Sequence, residues 1–237
     1  MFQSLARPEP KVKFLCAPED EGVIAPPVIA KTLLPDWFRS LPPVDRNVVS
    51  ARDSGLTIKR CMPFFDAMAT GWILPLAATV RLEIREGGRT VDAGWEFDRV
   101  MVSNHGAHQV AGNPREPRPP SKFHNYWSVR TPSGWSCLFL PPLNRPNGVF
   151  ECVAGVVDTD TYPAHIHFPF FAIGPDGVHV VEKGTPLVQV IPFRRTDAFL
   201  DGEIGVENAE EAIEREKVFR NTIAGNGWYR LKARASR

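Results

Sequence analysis

From Thr57 onward the chain sets short apolar runs between turn residues, the rhythm of an antiparallel β domain and not of a helical one. Val80-Arg-Leu-Glu-Ile84 alternates strictly, so its apolar side chains fall on one face of a strand, and Gly87-Gly88 behind it supplies a hairpin turn. Trp95-Glu-Phe97 alternates again and is expected to pair back across that turn. Further strands are predicted over Trp135–Leu140, Val149–Val157, His165–Phe171, Val178–Glu182 and Leu187–Phe193. Residues 103–125 carry few apolar groups and several prolines, and predict a long loop.

The flanks have a different character. Residues 1–55 are a proline-rich arm, with Pro8, Pro10, Pro18, Pro26, Pro27, Pro35, Pro42 and Pro43. Its one candidate element is a short helix within Leu33–Leu41, with Pro35 in the first turn, where a missing N–H does no harm. Trp37 and Phe38 are expected to clamp the arm to the body. After Asp201, Asn208 and Glu211 have the spacing of a capping box, and Ala209–Ala224 is rich in helix formers. Gly225 and Gly227 are placed to end that helix. The predicted organisation is a β domain over residues 56–200 between the arm and a helical tail, 201–237.

Composition narrows the functional classes. The 237 residues suit one domain with extensions, and a hydrophobic fraction of 43% supports a buried core. The 23 prolines, against an average usage of about 5%, fit a loop-rich β protein. A net charge of +1 provides no field that would draw a nucleic-acid polymer or an anionic membrane. The basic tail is expected to be a solvated surface. Cys16, Cys61, Cys137 and Cys152 form no CxxC pair or zinc spacing. Met1 to Lys13 lack the apolar stretch of a signal peptide, and no run reaches the ~20 apolar residues of a membrane span. A cytoplasmic protein with reduced thiols is therefore expected.

The segment from Phe150 to Ile191 carries the most information. It runs as a strand into the acidic turn Asp158-Thr-Asp160, then a strand, the turn Gly174-Pro-Asp-Gly177, a third strand, the turn Lys183-Gly184 and a closing strand. Ala154-Gly-Val-Val-Asp158 with Asp160 and Tyr162, followed by Gly184 and Gln189, resembles the core of dUTPases and dCTP deaminases. The resemblance implies a mostly β, β-clip (dUTPase-like) barrel or sandwich. It also implies a site built between subunits of a homo-oligomer, often a trimer. Under it, Asp158 would position a water as general base, Tyr162 would pack under a deoxyribose, and Gln189 would lie near the phosphates. The family's arginine-bearing phosphate motif has no arginine at its place in Gly134-Trp-Ser-Cys-Leu-Phe-Leu140, and Gly184 is followed by Thr185-Pro186 instead of an aspartate. The likeness therefore speaks for fold before activity. Over more of its length the chain resembles a family of bacterial and tailed-phage proteins. The shared stretches are Ile58 to Ala67, Phe123 to Trp127, Gly134 to Phe139 and Val190 to Arg194. That kinship implies no activity.

Each candidate residue also has a plain structural role. Asp158 and Asp160 would point to one side of an extended segment as a water-positioning or metal-bound pair, yet Asp and Thr also build tight turns. His165 and His167 would share one strand face, as in cupin-type sites, or line a polar pocket. His105, His108 and His124 sit in or beside the long loop, where solvation is the ordinary fate. Trp72, Trp95, Trp135, Phe139, Phe168 and Phe170 suit a core, whereas Trp127, after His124-Asn125-Tyr126, is placed to wall a pocket. Cys137 and Cys152 lie in apolar strands without a neighbouring base and suit buried, inert thiols.

The leading expectation is a ligand-binding β domain taking a small polar or nucleotide-like molecule at Asp158, Asp160, Tyr162, His165 and His167, with Gln189 and Trp127 nearby. The alternatives are a metal-dependent, cupin-like oxygenase or hydrolase, holding iron, zinc or magnesium at His165 and His167, and a non-catalytic structural or interaction protein.

Overall fold

A computed structural model describes residues 11–50, 52–116, 118–224 and 227–236; Pro8, Pro10 and Gly225, named above, lie outside them. Its contacts divide the chain into two units, Met1–Leu34 with Met68–Ala198 and Pro35–Ala67 with Phe199–Arg237. Among the described residues no helix is long and apolar enough to cross a membrane.

The first unit is mostly β. Its described strands form four antiparallel sheets, and these do not close into a barrel. The five-stranded sheet runs Gly155–Val157, Trp135–Leu140, Pro186–Arg194, Trp72–Pro75, Val28–Ile29. The four-stranded sheet runs Phe150–Cys152, Phe168–Ala172, Ser121–Phe123, Val102–Asn104. Val80–Arg85 is flanked by Gly177–Val181 and Thr90–Trp95 in a third sheet, and Lys13–Leu15 pairs with Ser128–Arg130 in the fourth. The proline-rich arm thus contributes two strands that its composition concealed.

The core forms where the predicted apolar faces meet. Phe123, Phe150 and Phe170 are fully or almost fully buried, with ring centroids 4.0 Å apart for Phe123–Phe170 and 4.9 Å for Phe123–Phe150. Val80, Leu82 and Ile84, the apolar half of the alternating strand, are buried with them. That strand pairs with Thr90–Trp95, with Val80 opposite Trp95, so Glu96 and Phe97 lie beyond the ladder. The turn between them, Glu86-Gly87-Gly88, has left-handed backbone at all three positions (φ 56°, 65° and 89°).

Three predicted elements come out differently. Val149–Val157 is two strands, because Phe150–Cys152 pairs with Phe168–Ala172 while Gly155–Val157 crosses to Trp135–Leu140 in the other sheet. The strand predicted over His165–Phe171 starts at Phe168, the first residue with a ladder partner (Phe123). The predicted loop over 103–125 is bounded by paired strands, with Val102 opposite Phe123 and Asn104 opposite Ser121.

Pro186–Arg194 is the longest strand and is bonded on both edges. It carries Gln189, fully buried, whose Nε2 donates to the Thr70 carbonyl (2.6 Å) and whose Oε1 accepts the Leu143 N–H (2.9 Å). Gly71 approaches the same strand so closely, in left-handed backbone (φ 72°), that a Cβ there would stand 2.1 Å from the Val190 carbonyl oxygen.

In the second unit the helix predicted around Trp37 spans Asp36–Ser40, with Pro35 one position earlier, at its N-cap. Phe38 is buried against Phe64 and Phe65, with ring centroids 5.9 and 6.2 Å away, and Lys59 Nζ donates to the Phe38 and Arg39 carbonyls. The tail helix spans Ala209–Ala224, and its capping box forms: Asn208 Oδ1 accepts the Glu210 and Glu211 N–H groups while Glu211 accepts the Asn208 N–H. Arg234, from the basic tail, forms a two-pronged pair with the buried Asp66 (2.5 and 2.9 Å) instead of facing water.

Phe170→Ala should cost about 3–5 kcal/mol by removing the ring at the centre of the aromatic stack. Urea unfolding followed by tryptophan fluorescence reads this as a lower midpoint with an unchanged slope. A loss below about 1 kcal/mol would show that the stack is not the core.

Candidate functional site

The acidic turn begins where Gly155–Val157 leaves the sheet. The Thr161 and Tyr162 N–H groups both donate to the Asp158 carbonyl (3.1 and 2.9 Å), so Asp158 to Tyr162 is a turn and not an extended segment. Thr159 points inward, fully buried, with its hydroxyl 2.7 Å from that of Thr131. The two aspartates on either side are gathered by something else: Arg195.

Arg195 follows the central strand directly, and Arg194 lies opposite Trp135 in the register, which brings the guanidinium over the start of Trp135–Leu140. Its fork closes on Asp160 with bonds of 2.8 and 2.7 Å, and one of its nitrogens also reaches the Trp135 carbonyl (3.1 Å) and the Ser136 hydroxyl (3.2 Å). Asp160 further accepts the Gly134 N–H (2.8 Å) and its side chain is only 5% exposed. The Arg195 fork and this N–H hold its carboxyl well below the usual carboxylate range, and the same contact raises the Arg195 pKa. Asp160 is therefore a clamp.

Asp158 is the free partner. Its side chain is 58% exposed; Oδ1 accepts the Ser136 hydroxyl (2.6 Å) and lies 3.6 Å from Arg195, while no hydrogen-bond partner among the described residues engages Oδ2. Tyr162 stands beside it in the turn, 47% exposed. Two carboxylates and one guanidinium leave this ledge with a local charge of about −1, so it favours hydrogen-bond donors over anions.

The histidines form a second cluster. His167 packs against His124, with ring centroids 4.4 Å apart, and its Nδ1 accepts the Asn125 N–H (3.2 Å). Burial first, and then the neighbouring His124, Lys122 and His165, push His167 down to about 4; burial and Lys122 lower His124 as well. Both rings are thus neutral near pH 7. His165 is exposed and faces the Tyr126 ring at 6.0 Å. His165 and His167 precede the strand and do not share a strand face, because the buried Asn125 side chain takes the Ile166 carbonyl (3.3 Å) where a ladder would have continued. Among the described residues no three His, Cys, Asp or Glu side chains converge on a point that would hold a metal ion. No described hydrogen bond or ring contact joins this cluster to the Asp158 ledge.

Trp127 lies in the wall of a cavity of about 490 Å³ with Ile24, Ala25, Pro26 and Lys183, its indole N–H on the Ala25 carbonyl (3.0 Å). Gln189 is locked in the interior as described above. Cys137 and Cys152 are buried, and burial raises both thiol pKa values. The residues that sequence pattern alone did not single out are Arg195, Ser136 and Asn125; His124 was named only as a histidine beside the long loop. The Arg194-Arg195 pair closing an apolar strand was a visible signal for the first. Arg195 reaches the start of Trp135–Leu140 from the end of the neighbouring strand, and its fork is taken up by Asp160.

No protein-family model and no curated protein matches the chain in sequence. Solved structures that align with it include phage dUTPases, the enzyme family that residues 154–193 resemble. The dUTPase from phage phi11 of S. aureus, described with a structural Mg(II) ion, is 13% identical over 60% of this chain and 85% of that one, with a TM-score of 0.33. The dUTPase of Staphylococcus bacteriophage 80alpha with dUpNHpp is 14% identical over 60% and 78%, with a TM-score of 0.32. A second 80alpha dUTPase structure is 12% identical over 86% and 93%, with a TM-score of 0.39. Likeness at this level decides nothing about the ledge, whose chemistry rests on its own residues.

Asp160→Asn tests the clamp through pH. A carboxylate depressed by folding contributes stability that is complete above its unfolded pKa and fades as pH falls through the folded one. The variant should unfold at lower urea than the parent at pH 7, and the gap should narrow as pH drops below about 4. A gap independent of pH would mean that Asp160 acts by shape and not by charge.

Proposed function

We propose that this chain is a small-molecule-binding β domain whose site is the ledge of Asp158, Tyr162, Ser136 and Arg195. The reading rests on one observation: the Asp158 side chain is 58% exposed and its Oδ2 has no hydrogen-bond partner among the described residues, while Oδ1 is fixed by Ser136 in a frame held by the Asp160–Arg195 clamp. A carboxylate pre-oriented in this way accepts from a hydroxyl or amino group, and an exposed tyrosine ring alongside offers a flat apolar surface. A sugar or nucleoside has both kinds of group. The ledge takes that part of a nucleotide-like ligand, since its negative charge opposes phosphate.

The domain acts as a homo-oligomer in this reading. Gly155–Val157, the strand leading into the ledge, is the edge of its sheet and leaves Val156 60% exposed; Val178 and Val180 stand exposed on another edge strand. Open edges bearing valine favour pairing with a further chain. Such pairing beside Asp158 would let a neighbouring subunit complete the site.

The test is titration calorimetry of the full chain with nucleosides and nucleotides of each base, alongside Asp158→Ala. Loss of one charge-assisted hydrogen bond should weaken binding roughly 10- to 100-fold. Binding that Asp158→Ala leaves untouched, or none in the millimolar range, would sink this reading. Light scattering tests the assembly: the parent should be larger than a monomer, and Val156→Asp should shift it towards one.

A further inference from the structure

The chain leaves Trp135–Leu140 through Pro141-Pro-Leu-Asn-Arg-Pro146, a tight turn with the Arg145 N–H on the Pro142 carbonyl (3.2 Å) and Asn144 in left-handed backbone (φ 56°). The Arg145 guanidinium donates to the Ala30 (2.8 Å), Met68 (2.7 Å) and Leu33 carbonyls, which fix its position. Arg145 also lines a cavity of about 250 Å³ whose walls are largely apolar, among them Pro142, Phe150, Ile173 and Leu187. Phe150 and Leu187 are almost fully buried, so that side of the cavity is core. The cavity shares no residue with the Asp158 ledge.

The Arg145 charge has no counter-ion. No carboxylate among the described residues pairs with it, and its three acceptors are carbonyl dipoles that carry no net charge. Its Nε–H is buried and meets no acceptor among the described residues. Glu151 also lines the cavity, but its carboxylate is paired with Arg115, which does not. Burial alone lowers the Arg145 pKa, with no carboxylate field acting to raise it. A half-buried cation without a counter-ion is costly, and an anion that reaches it makes a charge-assisted hydrogen bond away from bulk water.

We propose that this cavity binds a small organic monocarboxylate, its carboxylate on the Arg145 guanidinium and its apolar body against Phe150, Ile173 and Leu187. The single unmatched charge selects a monoanion. Phosphate and sulfate fit less well, because apolar walls would strip their oxygens of water while one guanidinium meets them. The site does not depend on the Asp158 ledge, so either can fail without the other.

The test titrates benzoate and isovalerate into the full chain by calorimetry, each beside its uncharged amide. Saturable binding of the carboxylates is expected, with the amides weaker roughly tenfold or more for want of the charge-assisted bond. Ile173→Trp, which fills the cavity and leaves Arg145 in place, should abolish binding. Arg145→Lys keeps the charge but not the planar fork and should weaken it roughly tenfold. Circular dichroism checks that each variant is folded; should either unfold, the comparison of acid with amide decides alone. Absence of saturable binding below about 10 mM overturns the proposal. So does an amide that binds as tightly as its acid, a folded Ile173→Trp variant that still binds, or inorganic phosphate that displaces benzoate at equal concentration.

Discussion

The strand Pro186–Arg194 pairs along Pro186–Val190 on one edge and along Gln189–Arg194 on the other, and where the two overlap, at Gln189 and Val190, it must satisfy inside the protein every polar group it carries. Much of the first unit follows from that demand. Its apolar side chains fill the interior, and its one buried amide, Gln189, is bonded at both ends by backbone from Thr70 and Leu143. An unpartnered amide here would cost on the order of 1–3 kcal/mol. Each of the two segments that meet Gln189 is thereby tied to the sheet by a hydrogen bond to its amide. Gly71 makes the same approach possible from the other direction, by having no Cβ to collide with Val190.

The same strand delivers the chemistry. Where it ends, Arg195 emerges beside the start of Trp135–Leu140 and captures Asp160, which pins the acidic turn to the sheet. Two aspartates two residues apart are thereby given opposite roles. Asp160, nearly buried and bonded to a guanidinium and a backbone N–H, is committed to structure. Asp158, exposed and held through a hydroxyl, keeps one oxygen without a hydrogen-bond partner among the described residues. The difference is one of environment, since the side chains are identical.

The histidines show the same division. In sequence His165 and His167 look like a pair, but the chain there is not a strand, so the period-two alternation that would have aligned them does not apply. Asn125 takes over the local backbone, and the ring that meets His167 is His124, from a segment over forty residues away in sequence. Two neutral imidazoles in contact make a packed, partly buried cluster and leave His165 in solvent.

Short-range patterns were decisive wherever one local rule governed the outcome. Strict alternation located the Val80–Arg85 hairpin, helix formers behind an Asn–Glu capping box located Ala209–Ala224, and apolar runs located Trp135–Leu140 and the central strand, so that the mostly β character of the chain was legible from the start. Asp158, Asp160 and Tyr162 were legible as a turn with chemical potential. The partition between a clamp and a free carboxylate was not, because it depends on Arg195, brought next to them only by the pairing of two strands. Register across a sheet is set by the simultaneous burial of many side chains, and no window of neighbouring residues contains that information. Local propensity thus fixed the elements and the candidate acids, and tertiary pairing alone decided which acid is held in the Arg195 fork and which stays exposed.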